Sequence, residues 1–170
     1  MIRMTVVACA LTAVGCSRAT EPATPTGPST VGTVYYPSGD SAKVTGSSGW
    51  WTYGSSNGAP LVLIIANMDP MTGADSLRPA LQGIDLTFGG SHFTSFPQAV
   101  TLSLGANPQG NMGAQMGIAS TSYNTTSGTA SVTALGGQYA RVDLVLTCAA
   151  MTFRGTLIVP NGCPTCVPSN

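Results

Sequence analysis

Ile84-Asp85-Leu86-Thr87-Phe88 sets a large apolar side chain at every second position with a polar one between. Further on, Val142, Leu144 and Leu146 alternate in the same way against Arg141, Asp143 and Thr147. Successive side chains of a β-strand point to opposite faces, so this period of two marks strands with one face on a core and one in water. By contrast Leu61-Val62-Leu63-Ile64-Ile65-Ala66 is apolar at both parities, which predicts a central strand covered on both sides. From Val31 onward no helical period competes, and β-rich runs alternate with clusters of Gly, Pro, Asn and Ser. The runs are Val31–Tyr36, Gly49–Tyr53, Leu61–Asn67, Ile84–Phe88, Val100–Leu104, Gly117–Tyr123, Gly128–Leu135, Tyr139–Thr147 and Met151–Val159. The expectation is an all-β chain, an antiparallel β-sandwich of about nine short strands. The last two runs read as a hairpin that buries Met151, Phe153, Leu157 and Val159. Met68–Gln82 is the longest stretch without strand character, with room for a helical turn at Ser76–Leu81 that Pro79 interrupts.

The chain opens with Met1-Ile2-Arg3 and an uncharged run from Met4 to Val14, a basic start and a short apolar stretch of secretory-signal type. A helix that crosses a bilayer needs about 20 apolar residues, so this run is read as cleaved. At its end stands Ala13-Val14-Gly15-Cys16, which resembles the lipobox of bacterial lipoproteins. Ala13 stands where leucine is usual, and Val14 is bulkier than the common alanine or serine. The resemblance implies a diacylglyceryl group on the Cys16 thiol, cleavage before it, and acylation of the new amino terminus. Two or more chains make such an anchor stable. Ser17 after the cysteine resembles the signal for delivery to an outer membrane. Ser17–Thr30 holds three prolines and no large apolar residue, which predicts a stiff stalk. The expected organisation is a signal at 1–15, a lipid-anchored stalk at 16–30 and a β-sandwich at 31–170.

Charged residues are 7% of the chain against a typical quarter, so solubility rests on Ser, Thr, Asn, Gln and Gly, as suits an exported β protein. Once Arg3 leaves with the signal, the cations are Arg18, Lys43, Arg78, Arg141 and Arg154, scattered along the chain. Nucleic-acid binding depends on clustered cations, so it is discounted, and so is steering of an acidic substrate.

His92, in Gly89-Gly90-Ser91-His92-Phe93, has no motif that brings a nucleophile and a carboxylate to it, and no catalytic residue is assigned. Asp69 and Asp75 share a loop without the ligand spacing of a calcium site and read as turn-forming. Met68 with Met71 and Met112 with Met116 resemble thioether clusters that hold Cu(I), a soft ion, although methionine also fills gaps beneath loops. No cofactor is implied. Trp50-Trp51-Thr52-Tyr53, flanked by Gly49 and Gly54, is the most unusual surface feature. As a strand it puts Trp51 and Tyr53 on one face and Trp50 on the other, so one indole should be partly exposed, and all three residues are candidates for ligand binding.

Cys148, Cys163 and Cys166 remain after signal removal besides Cys16, and export favours a disulfide. The hairpin geometry favours Cys163 with Cys166 over a bridge to Cys148. The stretch from Ile84 to Pro160 resembles, in texture, β-sandwich lipoproteins of bacterial envelopes. The functional expectation is a non-enzymatic, lipid-anchored envelope protein with a structural or binding role, its partners the membrane and a glycan or envelope protein. A carbohydrate-binding module that uses Trp50, Trp51 and Tyr53 is the alternative, with an exported enzyme or a Cu(I) protein third.

Overall fold

The computed structural model describes residues 25–56, 59–89, 100–105, 113–135 and 138–162. Within them are eleven strands: β1 Ser29–Tyr35, β2 Ser41–Gly46, β3 Ser48–Ser56, β4 Ala59–Asn67, β5 Leu81–Gly89, β6 Val100–Gly105, β7 Gly113–Ile118, β8 Thr121–Asn124, β9 Ser127–Leu135, β10 Tyr139–Thr147 and β11 Thr152–Pro160. A six-stranded sheet in the order β2-β1-β11-β10-β9-β6 and a five-stranded sheet in the order β3-β4-β5-β7-β8 are antiparallel throughout. The sheets meet where β11 lies against β3 and β4, so the chain is a β-sandwich.

Alternation sets what fills the core. Ile84, Leu86 and Phe88 of β5 and Val142, Leu144 and Leu146 of β10 are buried, while Asp85 and Arg141 stay in water. Met151, Phe153, Leu157 and Val159 are buried as expected, and β10 and β11 form the expected hairpin, with Thr147 opposite Thr152 and Tyr139 opposite Pro160.

Four expectations need correction. β2 was not anticipated, because its inward residues Ala42 and Val44 are small and offer little apolar signal. The run Gly117–Tyr123 is not one strand: the chain reverses at Ala119 and Ser120, with φ of 45° and 69°. Neither residue advertises a left-handed turn. The turn is held by tertiary hydrogen bonds, from Ser120 N to Gln82 Oε1 (3.0 Å) and from Ala119 N to the Ala80 carbonyl (3.2 Å). The helical turn is a 3₁₀ turn at Gly73–Leu77, because Pro79 and the start of β5 leave no room further on. Finally, β1 opens at Ser29, and Thr30, assigned to the stalk, is buried between Leu157 and Gly46. The signal, the stalk up to residue 24 and Cys16 lie outside the described residues.

On the outer face of the six-stranded sheet, Asp143 accepts hydrogen bonds from Arg141 (Nη2 to Oδ1, 3.0 Å) and from the Thr156 hydroxyl (2.6 Å). Hydrogen bonding to Arg141 holds the Asp143 carboxyl below the usual carboxylate range; partial burial opposes this, and the Thr156 hydrogen bond and the Arg141 charge reinforce it. A carboxyl depressed on folding below its unfolded value of 3.8 contributes stability that is present above that pH and lost as pH falls through the folded pKa. Both side chains of the pair are nearly half exposed, so Asp143→Asn should cost under about 1 kcal/mol. Urea midpoints near neutral pH and below about pH 3 should differ by less in the variant than in the parent.

Candidate ligand-binding face

The two indoles of β3 part company. Trp51 is 2% exposed and belongs to the core, whereas Trp50 is 37% exposed on the outer face of the five-stranded sheet. Trp51 is therefore withdrawn as a ligand-binding residue, since no ligand reaches it. Tyr53 lies on β3 opposite Val62, and its side chain lies outside the described residues. Trp50 sits on an edge strand beside the end of β11, where Gly162 N donates to the Trp51 carbonyl (2.7 Å). The approach is close: a Cβ on Gly162 would stand 3.2 Å from that of Trp50. Trp50, Thr52 and Gly162 line a recess of about 380 Å³.

Strand register carries the site across the sheet. Trp50 stands opposite Ile65, Ile65 opposite Asp85, Asp85 opposite Gln115, and Gln115 opposite Asn124. With strands ~4.8 Å apart, this row crosses all five in ~19 Å. It passes from an indole through a half-buried isoleucine to a carboxylate and two carboxamides. Leu63, one row away beside Thr52 and Thr87, widens the apolar part and is also half-buried. The expectation that β4 is covered on both faces is thus met only toward the core, where Val62, Ile64 and Ala66 are buried.

The polar end is held in place. Gln115 Nε2 donates to Asn124 Oδ1 (3.0 Å), and the Ser122 hydroxyl donates to Gln115 Oε1 (3.3 Å). Beside Asp85 and Gln115 the next row holds Gly83 opposite Gly117, two positions without side chains between Asn67 and Ser122. Gly83 adjoins a β-bulge. At Gly117 an added Cβ would meet nothing nearer than 3.8 Å, so packing does not demand glycine there. Asp85 has no ion-pair partner among the described residues. Its outward position was legible in the alternation of β5. Gln115 and Asn124 were missed because the turn at Ala119 hid β7 and β8.

The other candidates separate cleanly. Met116 is fully buried in the core and Met68 and Met71 pack against it, as methionines that fill space beneath loops do. Met112 and His92 lie outside the described residues. Asp69 closes the β2–β3 corner, accepting hydrogen bonds from the Thr45 hydroxyl (3.1 Å) and the Ser47 hydroxyl (2.9 Å). Asp75 pairs with Arg78, which also pairs with Asp40.

Cys148 is a buried free thiol at the turn end of the β10–β11 hairpin, where its N–H donates to the Met151 carbonyl (3.0 Å). Cys163 and Cys166 lie outside the described residues. The chain reaches Gly162 at the opposite end of β11, ~27 Å from that turn at ~3.4 Å per residue. Four further residues extend at most ~14 Å, short of the ~6 Å approach that a bridge requires. Peptide mapping without reduction is expected to return a Cys163–Cys166 link and an alkylatable Cys148. A crosslink between Cys148 and the C-terminal peptide would mean that β11 does not stay paired. No family model, curated protein or solved structure matches this chain.

Proposed function

We propose that this chain is a non-enzymatic lipoprotein of the bacterial envelope, outer-membrane bound through acyl chains on Cys16, whose β-sandwich binds an envelope component with the outer face of its five-stranded sheet. Export and anchoring rest on the resemblance of Ala13-Val14-Gly15-Cys16 to a lipobox. The Pro- and Thr-rich stalk then holds the domain away from the lipid headgroups. The observation that carries the binding role is Trp50, a half-exposed indole continuous with the apolar stripe of Ile65 and Leu63. Aromatic side chains are enriched where proteins make contacts, because they bring large area at low conformational cost.

Two measurements test this proposal. Mass spectrometry of protein from a bacterial host is expected to show a diacylated or triacylated terminus at Cys16, and Cys16→Ser should release the domain into the soluble fraction. An unmodified mature terminus elsewhere would end the anchoring proposal. For the binding face, the full mature chain in detergent is expected to co-sediment with delipidated envelope, and Trp50→Ala should abolish this without lowering Tm. Sedimentation indifferent to Trp50→Ala would remove the face from the function.

A further inference from the structure

We infer that the ligand of this face is a neutral or N-acetylated polysaccharide laid across the strands along Trp50, Ile65, Asp85, Gln115 and Asn124, an inference that rests on the face being the binding surface. A pyranose ring has an apolar C–H face and a rim of hydroxyls that both donate and accept hydrogen bonds. Its recognition asks for a flat aromatic surface for the first and adaptable polar groups for the second. Trp50 and Ile65 supply the apolar platform at one end of the row. At the other end the amides of Gln115 and Asn124 donate and accept, and Asp85 accepts. The bonds that Gln115 makes to Ser122 and Asn124 fix its side chain beforehand, so little rotamer entropy is lost when a sugar binds.

Size and shape point to a chain instead of a single sugar. The row is ~19 Å long, several pyranose rings end to end. The gap at Gly83 and Gly117 lies beside Asp85 and Gln115 and lets a ring approach the backbone there, the use to which strand glycines are often put. Charge narrows the class. Asp85 is the charge on this row, while Lys43, Arg141 and Arg154 belong to strands of the other sheet and Arg78 is paired at the 3₁₀ turn. A uronate or phosphate polymer would meet Asp85 with no cation beside it among the described residues to offset the repulsion. A peptide strand added to the β3 edge would have to displace Asn161 and Gly162, which already bond there.

The test uses the full mature chain in detergent with three probes: a hexamer of β-1,4-linked N-acetylglucosamine, cellohexaose and polygalacturonate. Trp51 is buried, so a change in tryptophan emission on binding reports Trp50. At least one neutral hexamer is expected to shift the emission and to bind with an affinity unaffected by ~1 M salt, where exposed charges are screened. Trp50→Ala should weaken binding by about tenfold or more. Gly117→Val, which fills the gap beside Gly83 where a Cβ makes only ordinary contact at 3.8 Å, should weaken it comparably at unchanged Tm. Polygalacturonate should not bind. No response to either neutral hexamer, binding that survives both substitutions, or salt-sensitive binding of polygalacturonate would overturn the inference. If the hexamers fail while sedimentation with envelope still depends on Trp50, the polysaccharide inference falls and the binding face stands. If sedimentation is also indifferent to Trp50, both fall.

Discussion

Phe153→Ala is expected to lower the free energy of unfolding by about 3 to 5 kcal/mol, read as a shift in urea midpoint at unchanged m. Phe153 is fully buried in β11, and its ring lies over Gly32 and Gly155, which face each other across the β1–β11 ladder. The ring therefore covers two backbone positions that have no side chains of their own, as aromatic residues do beside strand glycines. Truncation uncovers both and leaves a cavity in the middle of the six-stranded sheet, where paired backbones cannot collapse inward. Thr152→Ala, one position away on the outer face, removes a hydroxyl partner of Thr147 at 3.1 Å and should cost well under about 1 kcal/mol. Equal effects of the two substitutions would show that the register of β11 is wrong.

Gly155→Val is expected to destabilise the domain by at least about 3 kcal/mol, the upper end of overpacking costs, and to leave little folded protein at physiological temperature. A Cβ on Gly155 would stand 2.5 Å from the Phe153 ring, 2.5 Å from the Val31 carbonyl oxygen and 2.7 Å from the Gly32 Cα. One of these neighbours is a side chain that can turn aside. The other two are backbone of the adjacent strand and can move only if the ladder opens. A double-mutant cycle separates the contributions. With Phe153→Ala already in place, the cost of Gly155→Ala should fall only in part, because the clashes with β1 remain. Full relief would show that the ring alone enforces glycine at this position.

Both effects grow from a pairing that no local signal reports. The period-two pattern from Val31 onward and the apolar runs at Leu61, Ile84 and Val142 were sufficient for the fold class and for the burial of Phe153, because alternation is a property of the strand itself. They could not say that β1 would lie beside β11, since that choice depends on how two sheets share one core. The same division runs through the candidate site. Alternation at Trp50-Trp51 already required that one indole face outward. Which of the two, and what stands beside it, followed only once β3 was placed at a sheet edge.

The sequence by itself determined an all-β chain, the closing hairpin of Tyr139–Thr147 with Met151–Val159, and the outward position of Asp85. Each of these rests on interactions between neighbours along the chain. Only the tertiary structure decided that Trp51 is core and Trp50 surface, that Ala119 and Ser120 turn, and that Trp50, Ile65, Asp85, Gln115 and Asn124 share one row. The physical reason is register. A hydrogen-bonded ladder aligns residues far apart in sequence, and one residue of slip in any strand would turn its outward side chains to the opposite face.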